Sequence, residues 1–435
     1  MAIAAPNPNT TVVTAPGSGQ SYGAPLATVT TLFFMWGFLT CLNDILVPHL
    51  KSIFDLNYKQ SQFIQLAFFG AYFVFSFPAS KLVDWIGYQK SMVVGLVTAG
   101  IGAFLFVPAA LVPSYPLFLG AFIVLAAGIT CLQVAANPYV TVLGRPQTAS
   151  SRLNLTQAFN SLGTFLAPFF GGWLILSAAP KTMADIRAMA PDALQAYRLH
   201  EAATVKMPYV GLGVALILLA VAMGSFKLPK IEHAQHKVGE KVNDSIWEHP
   251  NLIFGAIAIF VYVGAEVSIG SFLVNYFTQP EIGGLTDKVA ASFVAFYWGG
   301  AMVGRFIGSA ILQKVSTRGL LGICAVCAGA LVAISMLSTG HFAMYSIILV
   351  GLFNSIMFPS IFTLGVAELG PLTGDGSGVM IMAIVGGAII PVAQGAIADR
   401  IGIHHAFFLP VICYVYILFF ALSGSRPNSQ RLAKA

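Results

Sequence analysis

About a dozen stretches of some 20 apolar residues follow one another along the 435-residue chain, each the length needed to cross the hydrocarbon of a bilayer. A chain in lipid must satisfy its backbone hydrogen bonds internally, and runs of this length do so as α-helices. Only 9% of the residues are charged, 57% are hydrophobic and the mean hydropathy is +0.81. Soluble domains carry about 25% charged and 45–50% apolar residues, and a soluble core stops growing beyond about 250–300 residues. An ordinary soluble enzyme is excluded. The 43 glycines and 23 prolines fit membrane helices, which tolerate both.

The spans fall at 26–50, 61–83, 91–112, 116–143, 153–178, 207–226, 252–277, 289–313, 319–338, 342–368, 378–398 and 406–424. The sequence thus predicts an all-α membrane protein of twelve transmembrane helices. Residues 1–24 are rich in Pro, Gly, Asn, Ser and Thr and read as a disordered tail. A first six-helix bundle covers 25–226, a cytoplasmic linker 227–250, a second bundle 251–424 and a short cytoplasmic tail 425–435. The segment 179–206 is polar and contains helix-forming stretches. With twelve spans both termini lie on one side. Lys81, Lys90, Arg145, Arg152, Lys314 and Arg318 share that side with the linker lysines and the tail, which places it in the cytoplasm.

The net charge of +6 therefore reports orientation and not nucleic-acid binding. Cys324 and Cys327 form a C-x-x-C inside an apolar stretch without a nearby His, so they read as small packing residues. The eight His, including the neighbours His404 and His405, form no ligand set with Asp or Glu. They read as loop residues, and an integral-membrane enzyme is disfavoured accordingly.

The two halves repeat one another faintly. Gln133 stands five residues before Pro138 and Gly144 six after; Asn354 stands five before Pro359 and Gly365 six after. Each proline should kink or break its helix and free backbone groups that need partners. The first and seventh spans share an aromatic entry followed by Gly37 and Gly264. Matches at equivalent positions indicate a parallel duplication.

An ionisable group at the membrane centre costs at least about 2.5–3.5 kcal/mol on insertion scales, so each one needs a reason. Asp44, Glu266 and Arg305 are such groups. Asn43, Gln65, Gln133, Asn137, Gln157, Asn160, Asn275, Asn354 and Gln394 join them. Gln133 and Asn137 are four apart and Gln157 and Asn160 three apart, so each pair shares a helix face. Single amides glue membrane helices together. Two facing pairs with two carboxylates favour a hydrated cavity for a polyol, whose hydroxyls both donate and accept. Trp36, Trp298 and Phe159 could supply an aromatic face. Arg305 either pairs with a carboxylate in a gate or snorkels towards headgroups. Read without any family in mind, this is a secondary transporter of a small polar solute.

The loop Lys81-Leu-Val-Asp84-Trp-Ile-Gly87-Tyr-Gln-Lys90 resembles the signature loop of the major facilitator superfamily, in which the carboxylate and bases latch cytoplasmic helix ends. Ser80 and Tyr88 depart from its pattern. Residues 395–402 match it better but fall on the opposite side. Leu42-Asn43-Asp44-Ile45-Leu46-Val47-Pro48, Ala135 to Gly144, Arg152 to Ser161 and Tyr262-Val263-Gly264-Ala265-Glu266 are similar to the fucose/galactose/glucose branch of that superfamily, most of all to bacterial glucose/galactose transporters. The resemblance implies the major facilitator fold of two pseudo-symmetric six-helix halves. It implies a functional monomer in the inner membrane, surrounded by lipid and without a cofactor, that imports a monosaccharide by alternating access.

The resemblance also implies roles. Asp44 matches the protonated aspartate of the fucose carrier. Gln133 replaces that carrier's second carboxylate, and Glu266 stands where those relatives have Gln. Asp44 with Asn43 is then the coupling site. A carboxylate in a low-dielectric cavity can bind and release H+, and with amide and backbone oxygens it could hold Na+ instead. Gln133, Asn137, Gln157, Asn160, Glu266, Asn275, Asn354, Gln65 and Trp298 form the expected substrate set. Asp84, Arg152 and Arg305 are the expected gating residues. A fucose-type carrier and an uncoupled uniporter are the alternatives.

Overall fold

The structure, a computed structural model, describes residues 22–54, 58–112, 114–174, 188–229 and 245–427, with the side chains of 42–53, 58–65, 168–174 and 202 outside the description. The expected N-terminal tail, most of the linker and the end of the C-terminal tail lie outside the described residues. So do the side chains of Asn43, Asp44 and Gln65.

Eleven helices among the described residues are long and apolar enough to cross a membrane. The fifth span, Ala149–Leu174, has the length at 26 residues but carries Arg152, Asn154, Gln157 and Asn160 in its first half, which make it the least apolar. Together these are the twelve expected spans. The first is Gly23–Phe54, the second Tyr58–Ile86, the third Tyr88–Leu111 and the fourth Tyr115–Val142. The sixth is Lys206–Ser225, preceded by a helix Pro191–Thr204 in the polar segment. The seventh to ninth are Pro250–Phe277, Asp287–Ile311 and Thr317–Leu337. The last three are Gly340–Gly365, Gly370–Ile401 and Ile403–Gly424.

The parallel duplication is written in the packing. Within the first half the third span packs on the fourth, the first on the fifth, the third on the sixth and the second on the fourth. Each pairing recurs six spans later: ninth on tenth, seventh on eleventh, ninth on twelfth, eighth on tenth. Close approach is made by small residues, as expected where lipid offers no hydrophobic drive between helices. Gly37 lies against the backbone of Asn160, and Gly163 against that of Phe34. The large apolar side chains left exposed, among them Phe73, Phe77, Leu218, Val221 and Val415, form the lipid-facing belt. The halves meet through two seams that exchange under the same symmetry, the second span on the eleventh and the fifth on the eighth.

The prolines act unequally on their helices. Pro138 lies inside a continuous helix, whereas the tenth span stops at Asn354 and resumes at Met357, two residues before Pro359. Proline has no N–H to offer the carbonyl four residues back, so Val134 and Ser355 each keep a free oxygen. The Val134 oxygen accepts from Ser377 Oγ at 2.8 Å, across the seam. The Ser355 oxygen accepts from Arg305 Nε at 3.2 Å.

Candidate functional site

The polar residues picked out by their cost in lipid form a nearly continuous chain from one half to the other. In the first half, Gln133 Nε2 donates to Tyr72 Oη at 2.7 Å. One turn on, Asn137 Oδ1 accepts from Gln157 Nε2 at 3.4 Å, so the face of the fourth span meets the face of the fifth. Gln133, Asn137 and Gln157 are all buried. Asn137 Nδ2 has no partner among the described residues, which leaves a donor of the kind a hydroxyl ligand would use. Asn160 is turned to the first span, where Nδ2 donates to Phe33 O at 2.9 Å.

Arg305 carries the chain across the seam. Its Nη1 donates to Ser161 Oγ and to Gln157 O, the latter at 3.4 Å. Its backbone oxygen accepts from Asn154 Nδ2 at 2.7 Å. On the other side Nη2 lies 3.9 Å from Glu266 Oε1, with the Glu266 side chain 12% exposed. That is ion-pair distance without a hydrogen bond, and Oε1 has no hydrogen-bond partner among the described residues. The Arg305 guanidinium thus lies beside a carboxylate of its own half.

Behind Glu266, Tyr297 Oη donates to the Glu266 backbone oxygen at 3.4 Å. Asn354 Nδ2 donates to the same Tyr297 Oη at 2.9 Å, and Asn354 Oδ1 accepts from Tyr414 Oη at 2.7 Å. Tyr262 Oη donates to Asn354 O at 3.1 Å. Asn354 is thus wholly engaged within the second half. Trp298 is 41% exposed and packs edge-on to Tyr297, while Asn275 is exposed near the end of the seventh span remote from the termini. Gln394 is buried with neither amide atom partnered.

The terminal-side end of the bundle is closed by paired side chains. At the second–eleventh seam, Lys81 Nζ lies 2.8 and 3.0 Å from the two Asp375 oxygens. Ser80 Oγ donates to Asp375 Oδ1 at 3.3 Å. Asp84 is 3.6 Å from Lys81 and lies beside Gly374. At the fifth–eighth seam, Ser151 Oγ donates to Ser309 O at 2.7 Å. Nearby, Ser150 Oγ is 2.6 Å from Thr363 Oγ1 and accepts from Thr317 Oγ1 at 2.9 Å. Arg152 stays in its own half: it donates to Val140 O, Thr141 O and Arg145 O at 3.3, 2.9 and 2.8 Å and so caps the end of the fourth span.

The sequence reading missed the tyrosines. Tyr72, Tyr262, Tyr297 and Tyr414 are buried and count among the hydrophobic residues of the composition, although each hydroxyl bonds to a candidate site residue. Spacing offered one signal: Tyr262 stands four residues before Glu266 and shares its face. The reading of His404 as a loop residue also changes. Its ring meets Tyr276 Oη at 3.4 Å and the Met336 carbonyl at 2.5 Å, so it ties the seventh and ninth spans together.

Removing the Tyr72 hydroxyl tests this arrangement. Tyr72→Phe leaves Gln133 Nε2 without its acceptor, at a net cost of about 0.5–1.5 kcal/mol. Affinity for a hydroxyl-bearing ligand should fall roughly two- to tenfold while the protein still folds. Unchanged affinity in equilibrium binding would show that the pair does not orient the amide for a ligand.

Comparison with known proteins follows the same lines. The profile of the Major Facilitator Superfamily matches residues 27–383. The chain is 53% identical to a glucose/galactose transporter of Brucella abortus over 96% of this chain and 98% of the relative. It is 36% identical to the L-fucose-proton symporter of Escherichia coli over 93% and 94%. A crystal structure of the superfamily transporter FucP in the outward conformation superposes with a TM-score of 0.85 at 34% identity. That match covers 94% of this chain and 100% of the other.

Proposed function

The chain belongs to the major facilitator superfamily, a family of transporters and not enzymes, and from that premise we propose that it imports a monosaccharide of the glucose/galactose class together with a proton by alternating access. The observation that carries the reading is the polar chain from Tyr72 and Gln133 through Asn137, Gln157 and Arg305 to Glu266. It joins the two halves at the depth where a carrier needs its substrate. The names of the relatives supply the sugar class and the ion: one is a glucose/galactose transporter and another a proton symporter.

In this reading Gln133, Asn137, Gln157 and Glu266 bind hydroxyls from the two halves, and Asn160 holds the first span against the fifth. Trp298 and Asn275 lie along the entry. Asn354 positions Tyr297 and Tyr414 and does not itself reach the sugar. Asp44, with its neighbour Asn43, carries the coupling proton, and Gln65 belongs to the substrate set. The Lys81–Asp375 pair, Asp84 and the serine contacts close the terminal-side gate. Both termini face the cytoplasm across the inner membrane, so this gate is the inward one.

Purified protein should bind D-glucose and D-galactose saturably, with D-mannose and L-fucose weaker. In proteoliposomes an inward proton gradient should drive accumulation, and a Na+ gradient at fixed pH should not. Absence of binding to all four sugars would refute the substrate class. Accumulation driven by Na+ alone would refute the ion, and equilibration without accumulation would indicate a uniporter.

A further inference from the structure

We propose that Glu266 is a second proton-binding group, and that its protonation releases the Arg305 tie between the halves and so unlocks the terminal-side end. This deepens the symport reading, on which it rests, by adding a proton site in the half opposite Asp44. The observation behind it is an asymmetry at the seam. Arg305 reaches the first half at Ser161 and Gln157 O, and its own half at Ser355 O. Glu266 is the carboxylate beside it, at 3.9 Å. The carboxylate compensates the guanidinium's charge without being hydrogen-bonded to it, and Oε1 keeps a lone pair with no donor.

The groups that face this carboxylate define its environment. Among the described residues they are Arg305 and Tyr297 from the eighth span, Tyr414 from the twelfth and Tyr262 one turn earlier on its own helix. The tenth span contributes the neutral Asn354, bonded to Tyr297 and Tyr414. The eleventh contributes Gly386 and Ile390, packed on Gly264. Arg305 is the one permanent charge in that set.

The step is a proton transfer that balances simply. A proton from water on the open side forms an O–H bond at Oε1, and Glu266 becomes neutral. Among the described residues Arg305 is then a buried cation without a counter-charge, which is unfavourable in a tight seam. The arrangement is relieved when the terminal-side end opens and water reaches the guanidinium. From that side the proton leaves to water, Glu266 regains its charge, and Arg305 can be held again. Because Arg305 is bonded to the same turn of the fifth span that presents Gln157, a sugar there and the proton on Glu266 act on one tie.

The test needs no sugar. Spin labels at exposed Lys90 and Lys314, each replaced by cysteine in the full chain with the five native cysteines substituted, report the separation of the two halves at the terminal end. Double electron–electron resonance in nanodiscs is read between pH 8 and pH 5, in an Asp44→Asn background to remove the titration of the proposed coupling carboxylate. Acidification should move the population from short to long distances. Glu266→Gln should show the long population already at pH 8, with an open-to-closed ratio raised about tenfold or more, and no further response to pH. Glu266→Asp should keep the response. A distribution independent of pH in the Asp44→Asn background overturns the proposal even if Glu266→Gln fails to fold. A pH response that survives in Glu266→Gln overturns it too. Neither failure touches the substrate reading, which is decided by the sugar-binding experiment above.

Discussion

Arg305→Ala stops net sugar uptake. The guanidinium makes bonds to Ser355 O, Gln157 O and Ser161 and sits 3.9 Å from Glu266, so its removal leaves a buried carboxylate uncompensated and two carbonyls without this donor. Breaking one partner out of such a buried pair costs about 3–5 kcal/mol, against a stage of the transport cycle that differs from its neighbours by much less. Uptake into proteoliposomes should fall by two orders of magnitude or more, roughly the factor that such an energy represents. Arg305→Lys should not restore it. One ammonium cannot span both halves as a planar fork of five donors does. A lysine variant that transports within a factor of two of the unsubstituted protein would show that charge alone suffices.

Asp44→Asn separates exchange from accumulation. Asparagine keeps the shape and the hydrogen-bonding oxygen but cannot titrate. Exchange of labelled for unlabelled sugar across the membrane should persist, because it needs binding and reorientation only. Net accumulation should fall. A gradient of one pH unit stores 1.36 kcal/mol for each proton carried, an about tenfold concentration ratio per proton, so losing the Asp44 proton should lower the attainable ratio about tenfold. Undiminished accumulation would move the coupling role away from Asp44.

The membrane made much of this fold legible. Lipid imposes one length and one polarity on every span, and the twelve stretches follow from that constraint. The fifth stands out because Arg152, Asn154, Gln157 and Asn160 crowd its first half. The same constraint picked out the candidate site residues, since Gln133, Gln157, Arg305 and Glu266 are conspicuous in an apolar background. It concealed the residues that hold them. A buried tyrosine such as Tyr297 is mostly hydrocarbon, and its hydroxyl shows its importance only beside Asn354. The seams were hidden for another reason. Ser150, Ser151, Ser309 and Thr363 are small hydroxyl residues that can bond to their own helix, as Thr363 does to Pro359 O at 2.9 Å, so no pattern distinguishes those that reach a neighbour. Arg152 misled in the opposite way: its position near a gate suggested a latch, but the carbonyls at the end of its own half satisfy it first. Lys81 and Asp375 lie far apart along the chain, and only the fold brings them together.

The two prolines give the carrier a way to fasten moving parts without dedicated side chains at the receiving end. Val134 and Ser355 supply main-chain oxygens, and these persist whatever residue occupies either position. An alanine in place of Pro138 or Pro359 would do more than straighten a helix. It would introduce an amide hydrogen that competes for the oxygen now taken by Ser377 or Arg305, and the fastening would be lost to a rival inside the same helix.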